Sequence, residues 1–213
     1  MTLRLIVLSL ICSQFCFHVD GGIFSYFFPT TVEVDEGWNM VEEFAIFFNL
    51  IRYKHHAPQL LINHELVLAA RERAVEYVED KAYYRGIPFD ESVYFSPNID
   101  DEVTANDVIE EWYSKSEKEY DYDNPTVTAN NMNFLRIVSK TTSEFGCGQA
   151  KTRSVGSYTV CLFLPNYVPG NEKINIPEPS EDFDARKKYE HIRALVRSNG
   201  EHLESPLVNF SGN

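Results

Sequence analysis

Apolar residues recur at the three-to-four-residue spacing of an amphipathic helix in three stretches of the chain. The first covers residues 38–55 and ends before Pro58, because the residue that precedes a proline is pushed out of the helical region. The second covers residues 65–83 and follows Asn63, a residue type that caps helix N-termini well. The third covers residues 103–120. These patterns predict three helices ahead of the strands.

The rest of the chain predicts strands, then a loop, then a helix. Strand-like runs occupy residues 134–140, 145–151 and 158–164, and a turn at 153–156 joins the last two into a hairpin. Residues 166–179 are rich in proline and glycine and predict a loop. Ser180 could cap a last helix that runs to about residue 198 and is closed by Gly200.

The hairpin has a consequence for the cysteines. A hairpin centred near residue 154 places Cys147 opposite Cys161, at a Cα separation that a disulfide can bridge. Such a bond closes a loop of about 15 residues and is worth ~3 kcal/mol on a chain-entropy estimate. The alternative is a pair of free buried thiols, which is the less favoured state outside the cytosol.

The first residues predict a secretory signal peptide, residues 1–21. Arg4 precedes an apolar run at residues 5–17, which is shorter than the ~20 residues that span a membrane. Small side chains at Val19 and Gly21 favour cleavage after Gly21, and a cut nearer Cys16 is the alternative. We therefore expect a secreted, extracellular protein with no transmembrane segment in the mature chain.

Charge narrows the possible partners. The formal net charge is -13, which disfavours binding to nucleic acid and adsorption to anionic lipid. Residues 76–123 alone hold 15 Asp or Glu against four Lys or Arg, a net of -11. This acidic stretch is either a surface for a basic protein partner or a solvated face of a secreted protein. Asn209, in Asn-Phe-Ser, is the only glycosylation sequon.

Four ordered segments resemble the CAP superfamily, the SCP domain of cysteine-rich secretory, antigen 5 and pathogenesis-related proteins. They are Asn49-x-x-Arg52-x-x-His55-x-x-Pro58, Glu111-Trp-Tyr-Ser114, Phe145-Gly-Cys-Gly-Gln-Ala150, and Val160-Cys161 followed by Pro169-Gly-Asn171. The resemblance implies an α+β fold: a three-layer α-β-α sandwich around a central antiparallel sheet, here with an extra C-terminal helix. We expect an irregular segment at 22–36, the CAP domain at 37–177 and a helical tail at 178–213.

The family also has a central cleft with two histidines and two acidic residues, in which some members hold a divalent metal. By this resemblance, Glu91 keeps the first acid and Asn133 stands where the family has a histidine. Lys115 takes the place of the second acid, for which Glu117 substitutes only if the helix shifts. No histidine lies between residues 64 and 191. The sequence therefore predicts a degenerate cleft with no metal, no cofactor and no catalytic residue.

Three functions follow as hypotheses. The first is a non-enzymatic protein that binds an unknown extracellular protein, a basic one if the acidic stretch matters. The second is a carrier of a sterol or fatty acid, in a pocket lined by Tyr83, Tyr84, Tyr94 and Phe95. The third is a weak metal-dependent or hydrolytic enzyme. It is the least favoured of the three, because the missing histidines leave no general base near neutral pH. We expect His55, at a helix C-terminus, to be a packing residue or a dipole partner.

Overall fold

The computed structural model describes residues 32–34, 39–82, 86–97 and 102–180. The chain divides after Thr31, and all of the described residues belong to the second unit, Val32–Asn213. The signal peptide, the predicted C-terminal helix, the glycosylation sequon at Asn209 and most of the segment at 22–36 lie outside the described residues.

The described chain contains six α-helices, one π-helix and five strands. The helices are α1 (Asn39–Lys54), α2 (His64–Val78), α3 (Ala105–Ile109), a π-helix (Glu110–Ser114), α4 (Lys115–Glu119), α5 (Met132–Val138) and α6 (Glu172–Asn175). The strands are β1 (Glu33–Val34), β2 (Leu61–Ile62), β3 (Asp90–Ser96), β4 (Glu144–Thr152) and β5 (Gly156–Leu164).

The first two helices form where the sequence predicts them. Asn63 caps α2, and its Oδ1 accepts hydrogen bonds from the amides of Glu65 at 2.9 Å and Leu66 at 3.2 Å. The helix ends at Val78, not at Tyr83 as the sequence pattern predicted. It stops because Asp80 takes a left-handed backbone conformation, with φ of 59°.

The predicted third helix is one run of helical turns interrupted by the π-helix. Thr104 and Asp107 form a capping box at its start. The wider π turn holds two consecutive residues, Trp112 and Tyr113, and both are buried. The Trp-Tyr pair therefore contributes to the core from a single turn of helix.

The predicted strand at 134–140 is wrong, because these residues lie in α5 and in the turn that follows it. Its apolar residues are all buried, at the spacing of one helix face: Phe134, Leu135, Ile137 and Val138. A short apolar run fits a buried strand and a buried helix equally well, so periodicity alone misassigned it. Strand β3, whose first two residues are acidic, was not predicted from the sequence.

The sheet has the order β1–β4–β5–β3 in antiparallel pairs, and the short β2 pairs with β4 in parallel. In the β4–β5 hairpin Cys147 lies directly opposite Cys161. The two form a disulfide, which confirms the predicted pair. A buried cross-link therefore joins the two central strands.

Helices cover both faces of this sheet. On one face α2 packs against the sheet through Leu66, Ala70, Ala74 and Val78. On the other face lies the larger core, built from α1, α3, the π-helix and α5, with Phe44, Phe48, Trp112 and Phe134 among its members. The arrangement is the expected three-layer α-β-α sandwich with a central, mainly antiparallel sheet.

Two glycines on β4 let α2 approach the sheet closely. A Cβ added at Gly148 would lie 2.5 Å from the backbone nitrogen of Arg71, and one at Gly146 would overlap the backbone of Val67 and Leu66. No side chain fits there without moving the helix backbone. The Gly-Cys-Gly sequence thus serves both faces: the glycines admit α2, and the cysteine between them forms the disulfide.

The close approach of α2 to Gly148 predicts that Gly148→Ala lowers the free energy of unfolding by about 2 kcal/mol or more, because α2 must shift away from the sheet. Gly86→Ala is the matched control, since nothing lies within 4 Å of a Cβ at that position. Urea unfolding with the disulfide intact measures both. Equal stability of the two variants would contradict the close approach.

Candidate functional site

The carboxylate of Glu91 lies on the α2 side of the sheet. Its Oε1 accepts a hydrogen bond from Arg73 Nε at 2.7 Å, and its Oε2 accepts one from the Tyr77 hydroxyl at 2.9 Å. Arg73 is itself buried and also pairs with Glu76 at 2.8 Å. Burial, together with the Glu91 carboxylate, raises the pKa of Tyr77 to about 12. Glu91 is therefore fully engaged in a bond between β3 and α2.

Arg136 fills the opposite side of the same strand. Its Nη1 donates to the Glu91 backbone carbonyl at 2.6 Å, to Asn133 Oδ1 at 3.1 Å and to Ser92 Oγ at 3.3 Å. Its Nε lies 3.8 Å from Asp90 Oδ2. Burial lowers the pKa of Arg136, and the nearby Asp90 and Glu91 carboxylates oppose that shift. A guanidinium thus stands between Asn133 and β3.

The acid on the Asn133 side is Asp90, which the sequence analysis did not select. Neighbouring residues of a strand point to opposite faces, so Asp90 and Glu91 cannot both face α5. Recognition of β3 as a strand would have revealed this difference. The predicted residues Glu91 and Asn133 do meet through Arg136, but Glu91 takes part with its backbone carbonyl only.

Lys115 and Glu117 make other contacts. Lys115 is exposed and pairs with Glu111 one helical turn away. Glu117 pairs with Lys54 at 3.0 Å, and Lys54 Nζ also donates to the Tyr113 hydroxyl at 3.1 Å. Neither residue has a hydrogen bond or ion pair with Glu91 or Asn133 in the described part of the chain. The assignment of these four residues to one cleft stays a prediction.

His55 is buried next to this Lys54–Glu117 pair. Its Nδ1 lies 2.7 Å from the Pro177 carbonyl, and its Nε2 lies 3.0 Å from the Tyr113 hydroxyl. A carbonyl can only accept, so Nδ1 carries the proton and Nε2 accepts from the phenol. Burial lowers the pKa of His55 to about 4. The neutral ring uses both nitrogens, as befits the packing role expected for it.

A family model for the CAP cysteine-rich secretory protein family matches residues 46–163, just over half of the 213-residue chain. This chain belongs to the CAP family. The matched range contains α2, the central hairpin and all four predicted cleft residues. No curated protein matches the chain.

Several solved structures are similar to this CAP chain. Venom allergen-like protein 4 of Schistosoma mansoni is 18% identical, with 68% of this chain and 96% of that one covered and a TM-score of 0.44. The surface antigen SAG19 of Eimeria tenella is 15% identical, with 78% and 98% covered and a TM-score of 0.43. NaASP2, solved with Zn²⁺, is 14% identical, with 70% and 93% covered and a TM-score of 0.45. Similarities this low carry no argument about a ligand of this chain.

The CAP metal cleft does not fit the residues found in this chain. Arg136 places a positive charge beside Asn133, where a metal would need a neutral ring nitrogen or a free carboxylate. Among the described residues, no three His, Cys, Asp or Glu side chains come together in a group that could hold a metal ion.

The described helices also include none that is long and apolar enough to cross a membrane.

Of the four aromatic residues predicted for an apolar ligand, the two that the structure describes lie on opposite faces of the sheet. Tyr94 packs against the α1 side of the sheet, whereas Phe95 is 45% exposed and its ring centroid lies 4.7 Å from that of Tyr158. Tyr83 and Tyr84 lie outside the described residues. The carrier function stays a prediction.

The Glu91 contacts predict a stability effect. Glu91→Gln leaves the buried Arg73 with a weaker partner, so we expect the free energy of unfolding to fall by about 2 kcal/mol. Glu111→Gln, which removes the exposed partner of Lys115, is expected to change it little. Chemical denaturation at neutral pH compares the two. A larger loss from Glu111→Gln would show that Glu91 does not hold β3 to α2.

Proposed function

We propose that this CAP chain is a secreted, extracellular protein that acts by binding another protein rather than by catalysis. The observation that carries the proposal is the Arg136 guanidinium between Asn133 and β3. Arg136 links α5 to β3 at a position where other members of the family can hold a metal. The cleft's metal chemistry is lost, and a binding surface elsewhere remains.

Electrostatics supports the loss of the metal. An arginine stays protonated near neutral pH even when burial lowers its pKa. Two unit charges 4 Å apart interact by roughly 4 kcal/mol at the effective dielectric of about 20 that suits partly buried groups, and the repulsion doubles for a divalent ion. No histidine between residues 64 and 191 offers a compensating bond.

The engaged state of the titratable groups argues against catalysis. A general base needs a free lone pair within reach of a substrate proton. His55 uses both ring nitrogens inside the core, and Glu91 uses both carboxylate oxygens on Arg73 and Tyr77. Secretion is supported by the signal-like N-terminus and by a buried disulfide, which forms and persists in oxidising compartments.

A basic partner is supported by the exposed acids of the acidic stretch. They follow α3 through α4 into the next loop: Asp107, Glu110, Glu111, Glu119, Asp121 and Asp123. Surface charge of one sign attracts partners of the opposite sign and speeds their encounter. The same stretch contains only two cations between residues 102 and 123, Lys115 and Lys118.

The metal part of the proposal predicts no saturable zinc binding by the native chain in isothermal titration calorimetry at neutral pH. Two causes oppose zinc binding, the missing histidine at Asn133 and the charge of Arg136, and variants that restore part of the family pattern should separate them. Asn133→His with Arg136→Gln should give measurable zinc binding, whereas Asn133→His with Arg136→Lys should not, because the charge remains. Stoichiometric zinc in the native protein would contradict the proposal.

The partner proposal predicts charge-dependent capture. The immobilised native chain, incubated with extracellular fluid of its source organism, should retain basic proteins at low salt and bind them more weakly at physiological salt. Asp107→Asn with Glu110→Gln and Glu111→Gln should retain fewer of them in quantitative mass spectrometry. Glu33→Gln with Glu65→Gln, which removes exposed charge elsewhere, is the control. Capture that ignores both salt and the triple substitution would reject a basic partner.

A further inference from the structure

The segment at residues 175–180, here called the C-terminal clasp, closes the end of α1. It lies beyond the part of the chain that the CAP family model matches. The Ser180 amide donates to the Lys54 carbonyl at 2.8 Å, and the Lys140 amide donates to the Asn175 carbonyl at 3.0 Å. Ile176 is buried in the larger core. The clasp therefore combines backbone hydrogen bonds at both ends with an apolar anchor.

His55 lies beneath the clasp and is fully buried. Its Nδ1 proton is donated to the Pro177 carbonyl of the clasp. The next residue, His56, is exposed and contacts the clasp differently, with its Nε2 3.1 Å from Ser180 Oγ. Two consecutive histidines thus meet the same segment, one inside the protein and one at its surface.

The surroundings of His55 oppose a second proton on the ring. A proton on Nε2 would point at the Tyr113 oxygen, which already accepts from Lys54 Nζ. Burial, the Lys54 charge and His56 disfavour the proton. The hydrogen bond to the Pro177 carbonyl and the Glu117 carboxylate favour it, but Glu117 is paired with Lys54. Tyr122 and Phe134 contribute rings at centroid distances of 6.4 and 5.8 Å.

Water could solvate a charged His55 ring only if a covering element moved away. The clasp has no regular secondary structure after Asn175, and it is held through backbone hydrogen bonds with Lys54 and Lys140 and through the Pro177 contact with His55. The other neighbours of the ring belong to the π-helix, α4 and α5 and to the loop after α4, which carries Tyr122, and they pack against the core. Lifting the clasp breaks the Nδ1 contact with Pro177 and opens that edge of the ring to water.

We propose that the clasp is an acid-sensitive latch, in which protonation of His55 favours a state with residues 175–180 lifted from the end of α1. In the closed state the His55 ring has a pKa of about 4, whereas an exposed histidine has a pKa of 6.5. Between these values the open state binds more protons, so lowering the pH favours it. Within that window, the ratio of open to closed molecules should rise about tenfold for each unit by which the pH is lowered.

Opening would uncover the apolar site that Ile176 fills and would break the hydrogen bond between Ser180 and Lys54. A protein exposed to a mildly acidic compartment could then present this site to a partner. Above pH 6.5 the ring is neutral in both states, and the latch stays closed.

Hydrogen exchange on the full chain tests the latch. The protection factor of the Ser180 amide, corrected for the pH dependence of intrinsic exchange, should fall about tenfold per unit between pH 6.5 and 4.5. Amides of the β4–β5 hairpin should keep their protection. A constant Ser180 protection factor, or a parallel loss in the hairpin, would overturn the proposal.

Paired variants identify the responsible histidine. His55→Gln removes the titrating ring and should flatten the pH dependence of Ser180 protection. His56→Asn, which suits the left-handed backbone at that residue (φ of 52°), should leave it as in the native chain. The opposite pattern would assign the effect to the exposed histidine and overturn the latch.

A reciprocal measurement covers the case in which His55→Gln does not fold. Ser180→Pro deletes the amide that donates to Lys54 and so weakens the clasp without touching His55. By linkage, the pKa of His55 from an NMR titration should then rise toward 6.5. An unchanged His55 pKa in a folded Ser180→Pro variant would show that the clasp does not control access to the ring.

Discussion

The Arg52 guanidinium, fully buried and without a carboxylate partner among the described residues, is the interaction on which the fold depends. It donates to the backbone carbonyls of Pro58, Ile137, Ser139 and Thr142. Burial lowers its pKa to about 9, so it remains charged at neutral pH. A buried charge is stable only when its hydrogen bonds are satisfied, and these carbonyls belong to three separate parts of the chain. One side chain therefore fixes the end of α1, the end of α5 and the turn into β4.

Its neighbours on α1 act in the same way. Asn49 holds the backbone of Leu60 with two hydrogen bonds, 3.1 Å to its carbonyl and 2.7 Å from its amide. His55 holds Pro177 and Tyr113. The segment Asn49-x-x-Arg52-x-x-His55 is thus a set of polar side chains that satisfy loop backbone in the interior. The residues that make the chain recognisable as a CAP protein specify its loops, and they carry no information about its ligand.

The sequence predicted those parts of the fold that depend on local patterns. The hairpin, its register and the pairing of Cys147 with Cys161 follow from turn residues and strand alternation, and the structure has them. Helix α5 was misassigned because a seven-residue apolar segment has no distinctive period. Strand β3 was missed because Asp90 and Glu91 open it, and their charge is balanced by Arg136 and Arg73 from elsewhere in the chain. Such long-range pairing leaves no local signal.

The same long-range pairing changes how the net charge of -13 is presented. Arg52 and Arg136 are withdrawn into the protein, where they neutralise backbone dipoles and one carboxylate, and Arg73 is occupied by Glu76 and Glu91. These arginines hold loops and strands in place, while several acids of the helical run from α3 to α4 remain at the surface. Structural use of arginine inside the CAP domain thus places a guanidinium beside Asn133, while exposed acids remain on the outer face of the helical run from α3 to α4.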